Sequence, residues 1–172
     1  MNVYHPYDTV VDTAECLHLK QNESRERLQF ITLRVVPILL MLVVWYVLQR
    51  VGTIIPMNWN YVLIIVTLIV AFLLLFRSYT TEIKIIKNKE IFLVLKTVFG
   101  TKEKRIDIDQ IKKISMIRKS GKSSDVSFVT NVKPNRTYLL LSIPPLAFDA
   151  HHLKLVKERF EDLLSVSIVE TK

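Results

Sequence analysis

The sequence is poor in the residues from which metal and cofactor sites are most often built. Cys16 is the only cysteine, so an intrachain disulfide and a cysteine cage for a metal ion are both excluded. The three glycines, Gly52, Gly100 and Gly121, are scattered along the chain, and they form no glycine-rich loop that would hold a phosphate group. We therefore expect no cofactor and no metal ion.

Candidate catalytic residues do not cluster either. Asp107 and Asp109 alternate on a strand-like segment, but no histidine or activated hydroxyl group lies near them in the sequence. His151 and His152 are adjacent, and neighbouring residues on a helix project about 100° apart, so this pair alone does not chelate a metal. The sequence predicts a protein that is not an enzyme, and it identifies no small-molecule substrate.

Charge is almost missing from two stretches in the first half of the chain. Residues 30–48 contain one charged side chain, Arg34, and residues 61–76 contain none. A bilayer core of roughly 30 Å requires about 20 mostly apolar residues in a helix. We predict a two-helix transmembrane hairpin over residues 30–76. Its two helices are expected at residues 30–51 and 59–76.

Basic residues at the ends of these stretches predict the orientation of the hairpin. Lys and Arg resist translocation across the membrane. The connection between the helices contains a single basic residue, Arg50. Eight basic residues flank the outer ends: Lys20, Arg25, Arg27, Arg34, Arg77, Lys84, Lys87 and Lys89. We expect a multi-pass protein with both termini in the cytoplasm. Arg34, one turn inside the first helix, is expected to extend outward to the headgroups.

Residues 77–172 have a different character and predict one cytoplasmic domain. This segment has 19 Lys and Arg against 11 Asp and Glu, so it carries the basic excess of the protein. Six short stretches rich in Ile, Val, Phe and Thr are separated by turn residues and predict an antiparallel meander. They are Glu82–Lys87, Ile91–Phe99, Lys104–Ile108, Ile111–Lys119, Val126–Val132 and Thr137–Ile143.

The last segment of the chain predicts an amphipathic helix. Asp149 is a suitable N-cap residue, and apolar residues repeat after it at helical spacing. A helix in this place would cover an otherwise exposed apolar face of the sheet, so we assign its apolar face to the core. The residues of that face are Leu153, Val156, Phe160, Leu163 and Leu164.

The six strands and the final helix resemble the pleckstrin-homology-like (PH-like) fold. A membrane hairpin followed by such a domain is similar to the bacterial PH-like membrane proteins. The resemblance covers roughly Tyr61–Val166 and rests on the hairpin, on the run KRIDIDQIKKI at Lys104–Ile114 and on the helix at Phe148–Phe160. It implies a membrane hairpin with an α+β domain, in which a sheet or barrel of six or seven antiparallel strands is capped by a C-terminal helix. It also implies a bacterial inner-membrane location and a role in binding or scaffolding.

Two groups of basic residues are candidate contacts with anionic lipid or with a protein partner. The first is Lys84, Lys87 and Lys89, and the second is Lys112, Lys113, Arg118, Lys119 and Lys122. A tethered basic surface is attracted to anionic headgroups by about 1 kcal/mol per basic residue. No aromatic residue that could stack on a base lies between Lys102 and Ser127, so we do not expect nucleic-acid binding.

Two functions are compatible with these features. The first is a non-enzymatic accessory or scaffolding protein whose cytoplasmic domain binds other membrane proteins, or forms an oligomer with its own copies, by strand addition or charge complementarity. The second is a sensor or binder of anionic lipid headgroups. Residues 1–29 form an N-terminal cytoplasmic segment. Its apolar residues either form a short interfacial helix or pack on the cytoplasmic domain; they are Leu17, Leu19 and Leu28, together with Val10 and Val11.

Overall fold

A computed structural model describes residues 4–51, 57–118, 126–133, 136–143 and 150–171. The described residues have an α+β architecture with a five-stranded antiparallel sheet, a four-stranded mixed sheet and a C-terminal helix. Contacts divide the chain into two compact units. The β-rich unit comprises Met1–Asn22, Thr80–Leu95 and Thr101–Lys172, and the helical unit comprises Glu23–Tyr79 and Lys96–Gly100.

The first sheet has its strands in chain order, β1-β2-β3-β4-β5. These strands are β1 Tyr7–Thr13, β2 Cys16–Gln21, β3 Tyr79–Ile86, β4 Glu90–Thr97 and β5 Gly100–Asp107. The second sheet has the order β8-β7-β6-β9. Its strands are β6 Ile111–Arg118, β7 Val126–Val132, β8 Arg136–Ile143 and β9 Ile168–Thr171, and β9 lies parallel to β6. The two sheets are not closed into one barrel.

The six predicted strands correspond to β3–β8, and the structure adds three more. The interfacial helix considered for the N-terminal segment is wrong where the chain forms β1 and β2. Packing on the C-terminal domain is confirmed for Leu17 and Leu19, whereas Leu28, Val10 and Val11 are exposed. Strand β2 pairs antiparallel with β3, with Leu17 opposite Ile85 and Leu19 opposite Ile83. The physical reason is a period-two pattern, in which Leu17, Leu19 and Gln21 are buried and the residues between them are not.

The core of the β-rich unit is formed by both sheets and by the C-terminal helix, which runs over Ala150–Leu164. The predicted apolar face of this helix is confirmed: Leu153 packs against the core, and Val156, Phe160, Leu163 and Leu164 have no exposed surface. The Phe160 ring meets the Phe128 ring of β7 edge to face, at 5.3 Å between centroids. Such aromatic pairs add to the stabilisation from apolar burial. The predicted N-cap, Asp149, lies outside the described residues.

The C-terminal end of this helix is fixed by the turn between β3 and β4. The backbone N–H of Asn88 donates to the Leu163 carbonyl at 2.9 Å, which satisfies one of the last carbonyls of the helix. Asn88 has a φ of 51°, a left-handed conformation that asparagine tolerates better than most residues. The Ser165 hydroxyl and the Asn88 side-chain oxygen are 2.6 Å apart. The helix is thereby attached to the first sheet.

The helical unit begins with one continuous helix of three parts. Helix α1, Glu23–Phe30, runs through a π-helical turn at Ile31–Val35 into α2, Val36–Val51. Over Glu23–Val47 this helix has 25 residues and is long and apolar enough to cross a membrane, and only 17% of its apolar window is buried within the protein. It starts before the predicted residue 30, and its first turns are polar.

Helix α3, Met57–Phe76, packs against α2. Its apolar part that falls within the described side chains, Ile64–Phe76, is shorter than a membrane span. Among the described residues, the first helix is therefore the one that is long and apolar enough to span a membrane. The C-terminal helix of the β-rich unit, Ala150–Leu164, is referred to as α4.

Candidate functional site

The first predicted basic group lies on the first sheet and on its β3–β4 turn. Lys84 is exposed on β3, on the face opposite to the buried Ile83 and Ile85. Lys87 is engaged by the Asp162 carboxylate of α4 at 3.3 Å, and Lys89 is exposed in the turn. The group is therefore divided between a strand face and a helix contact, and it does not converge on one ligand.

Two carboxylates line the same groove as Lys84. A shallow groove of about 210 Å³ is lined by His18, Glu82, Lys84, Phe92, Leu93, Val94 and Glu103. One Glu82 carboxylate oxygen lies 3.5 Å from the His18 Nε2 and the other lies 3.5 Å from the Lys20 ammonium. The two acidic side chains in this groove, Glu82 and Glu103, reduce the attraction of Lys84 for an anion. This surface therefore carries both positive and negative charges.

The second predicted basic group is spread along β6. Lys112 and Lys113 lie near the start of the strand and Arg118 at its end, a separation of roughly 17 Å at the rise of a β-strand. Neighbouring strand residues normally point to opposite faces, but the pairing of β6 with β7 shifts register between Ile111 and Lys113. Both lysines are exposed at this irregularity. Lys119 and Lys122 lie outside the described residues.

Arg34 is positioned differently from the expectation. Its side chain is 8% exposed, and its guanidinium donates hydrogen bonds to the carbonyl oxygens of Leu75 and Arg77, the latter at 3.1 Å. It also lies 5.9 Å from the centre of the Tyr79 ring. The expected outward extension to the headgroups is wrong, because the arginine has acceptors inside the helical unit.

The end of α3 explains why a cation is buried there. Helix α3 ends at Phe76, and the last carbonyls of a helix have no partner within the helix and carry a partial negative charge. Arg34 supplies donors and a positive charge to that end. It stands in the π-helical turn Ile31–Val35, and π-turns within α-helices frequently occur at functional positions. A lone arginine in an apolar run was the signal in the sequence, but its acceptor is 41 residues away.

A second polar contact in the helical unit links α1 with the tip of the β4–β5 hairpin. The Lys96 ammonium donates to a Glu26 carboxylate oxygen at 2.6 Å, and this hydrogen bond raises the pKa of Lys96. Burial raises the pKa of the Tyr79 hydroxyl nearby. Sequence reasoning did not pair these residues, since 70 positions separate Glu26 from Lys96.

The same contact borders a groove of about 490 Å³, the junction groove, which is lined by Glu23, Glu26, Arg27, Phe30, Ile31 and Lys96. Arg27 is hydrogen-bonded to Glu23 on the same helix face, as Lys96 is to Glu26. The charges around the groove are thus paired with one another, and Phe30 and Ile31 provide an apolar wall. This arrangement suits an interface between polar and apolar surroundings and contains no combination of nucleophile and base.

Metal-binding geometry is also missing from the described residues: among them, no three His, Cys, Asp or Glu side chains come together as ligands. Comparisons with protein-family models and with curated proteins find no match for this chain. The fold and the contacts define an α+β protein with one helix able to cross a membrane. Its role is therefore argued from this geometry.

Proposed function

We propose that this chain is a non-enzymatic accessory or scaffolding protein of the bacterial inner membrane, and that its β-rich unit binds other proteins or its own copies. One observation carries the proposal. In the 25-residue helix Glu23–Val47 only 17% of the apolar window is buried within the protein, and in this proposal lipid covers the rest. The same chain contains a β-rich unit with a fully packed core.

A second crossing by α3 is part of this proposal, and the way in which Arg34 connects the two helices supports it. Helix α3 has 20 residues, which corresponds to about 30 Å of helix and thus to the hydrocarbon thickness. Because Arg34 bonds the carbonyls at the end of α3, the start of the first apolar helix and the end of α3 lie at one level. A two-pass protein with both termini cytoplasmic places eight basic flanking residues inside, as Lys and Arg require.

A PH-like architecture for the β-rich unit is supported by the way its sheets approach each other. The Lys104 ammonium of β5 lies 5.9 Å from the centre of the Tyr138 ring of β8, which brings the outer strands of the two sheets together. Helix α4 packs into the same core. In this proposal β3–β8 and α4 form the PH-like part, and β1, β2 and β9 extend it.

Strand β1 is the surface that we assign to partner binding. It is the outermost strand of the first sheet, and only Tyr7 of its seven residues is buried. Val10 and Val11 are 54% and 39% exposed. An exposed sheet edge with apolar side chains is a template for strand addition by another chain, and a second copy offers the same self-complementary edge.

Purification in mild detergent at native expression level tests this assignment. We expect a particle larger than one chain in its detergent micelle, and we expect Val10→Lys to dissociate it, because a charge on an edge strand opposes strand pairing. The matched control is Val169→Lys on β9, where the side chain is 42% exposed, and it should leave the particle intact. A monomeric, partner-free native particle would contradict the scaffolding role.

The alternative function, binding of anionic headgroups, is favoured by the exposure of both Lys112 and Lys113. It predicts that association depends on lipid charge and is lost in salt, because surface charges are screened within about 10 Å at 0.1 M salt. In the same purification, anionic phospholipid that co-purifies with the chain and with Val10→Lys, but is lost in Lys113→Glu, would support this alternative. The full chain is needed, since a fragment that starts at Arg77 lacks β1 and β2.

A further inference from the structure

The tip of the β4–β5 hairpin presents a large aromatic ring to its surroundings. Phe99 is 85% exposed, more than any other large apolar side chain in the described part of the chain. Strand β4 ends at Thr97 and β5 begins at Gly100, so Val98 and Phe99 form the turn. Two-residue hairpin turns favour Asn-Gly and similar pairs. Turn formation alone therefore does not account for two apolar residues at this tip.

The backbone of the tip is well fixed, and the ring is presented outward by it. The Thr97 hydroxyl donates to the Gly100 carbonyl at 2.8 Å. Gly100 has a φ of 120°, a backbone conformation that residues other than glycine rarely adopt. The Lys96–Glu26 hydrogen bond holds the base of the tip against α1. The exposure of Phe99 is thus a property of an ordered turn.

The ring of Phe99 continues an aromatic row on the last turns of α3. Its centroid lies 5.8 Å from the Phe76 ring, and the Phe76 centroid lies 4.3 Å from the Phe72 ring. Phe72 and Phe76 are 55% and 44% exposed. All three residues belong to the helical unit. The row therefore runs from the apolar surface of α3, through the end of that helix, to the hairpin tip.

We propose that the Val98–Phe99 tip inserts into the boundary between headgroups and acyl chains, and so forms a second membrane contact besides the helices. The occupant of this apolar surface is lipid, because the surface is continuous with the helix face that lipid covers. The inference rests on the proposed membrane location. It adds to that proposal a fixed anchor on the strand that leads into the β-rich unit.

Tryptophan fluorescence in reconstituted vesicles tests the anchor with the full chain. The native Trp45 and Trp59 are replaced by Phe, and a single tryptophan is introduced as Phe99→Trp. The matched control is Lys89→Trp, an exposed position at the β3–β4 turn. A third chain retains Trp45 alone as the marker of the membrane helix, where it is 63% exposed to the surroundings. Vesicles contain phosphatidylcholine with or without acyl-brominated lipid.

Insertion predicts a blue-shifted emission for Phe99→Trp and strong quenching by the brominated lipid. Because transfer of a large aromatic ring out of water favours the inserted state by about tenfold or more, iodide should quench this tryptophan about tenfold less than Lys89→Trp. The inference is overturned when Trp45 is quenched by brominated lipid but Phe99→Trp responds only to iodide. A Phe99→Trp that is quenched by neither reagent would be covered by protein instead of lipid, and that result also overturns the inference. When Trp45 is not quenched either, the membrane location itself is wrong.

Discussion

Leucine side chains are buried in the β-rich unit of this protein and exposed in its helical unit. Leu17 and Leu19 in the β-rich unit have no exposed surface, whereas Leu42 and Leu73 on the helices are 57% and 65% exposed. Apolar burial is the main favourable term in folding, so the strands obtain it from each other. The helices obtain it only from a surrounding apolar medium. This difference is what the proposed membrane location predicts, with water around the strands and lipid around the helices.

Polar and aromatic residues of the helical unit show the same inversion. Arg34 is 8% exposed and Phe99 is 85% exposed, the reverse of what water imposes on a charged and an aromatic side chain. The buried charge is compensated by the carbonyl oxygens that accept from it. The exposed ring has no such compensation in water. Arg34 therefore has its partners within the helical unit, whereas the exposed Phe99 ring gains a favourable environment from the proposed lipid contact.

The largest effect expected from this comparison is all-or-none labelling by a membrane-impermeant thiol reagent on intact cells. Cys16, the native cysteine in β2, should stay unlabelled until the cells are lysed. In a Cys16→Ser background, Thr53→Cys in the connection between α2 and α3 should be labelled from outside, and Lys172→Cys should not. External labelling of both Thr53→Cys and Lys172→Cys would show that α3 does not cross the membrane.

A matched pair of leucine truncations compares the two units directly. Leu17→Ala should lower the free energy of unfolding by about 2–5 kcal/mol, because it removes a fully buried side chain and leaves a cavity. Leu73→Ala, on the exposed face of α3, should cost less than about 1 kcal/mol, since detergent fills the space. Urea denaturation of the solubilised chain, followed by the circular dichroism of the β-strands, measures both. Equal losses would remove the distinction between the units.

The smallest expected effect concerns the contact of Arg34 with the end of α3. Arg34→Leu should destabilise the helices by about 2 kcal/mol, because charged hydrogen bonds to the Leu75 and Arg77 carbonyls are lost. Arg34→Lys keeps the charge but lacks the forked donor geometry, so we expect an intermediate loss. Thermal unfolding followed by the helical circular dichroism signal is the measurement.

The control for this prediction is Arg27→Leu. Arg27 and its partner Glu23 are 74% and 77% exposed, and exposed ion pairs contribute about 0–1 kcal/mol. This variant should unfold close to the original chain. A loss in Arg27→Leu as large as in Arg34→Leu would show that basic charge near the membrane, and not the helix-end contact, stabilises this unit.

Elements with a strong local pattern were predictable from the sequence. The six stretches assigned to strands match β3–β8 because turn residues separate them and strand-forming residues dominate within them. Helix α4 was recognisable from the repeat of Val156, Phe160 and Leu163 on one face. The apolar runs at residues 30–48 and 61–76 likewise coincide with helices. In each case the deciding signal lies within a short window.

Features that depend on distant pairing were not predictable in the same way. Strand β2 is stabilised by β3, and the helices lie between them in the sequence. Strand β9 has four residues and is stabilised by parallel pairing with β6. The acceptors of Arg34 and the partner of Lys96 are equally remote. The basic residues were grouped by sequence distance, but the strand geometry separates Lys113 from Arg118.

The pairing of β2 with β3 also determines the order in which the protein can be completed. During synthesis the β1–β2 hairpin emerges first, and its neighbour in the sheet follows only after both apolar helices have been made. An isolated two-stranded hairpin is at best marginally stable in water. The β1–β2 hairpin therefore becomes stable only after β3 has been synthesised and pairs with β2. In the proposed two-pass topology, delivery of the helices to the membrane therefore precedes the pairing of β2 with β3, so folding of the first sheet depends on prior insertion of the helices.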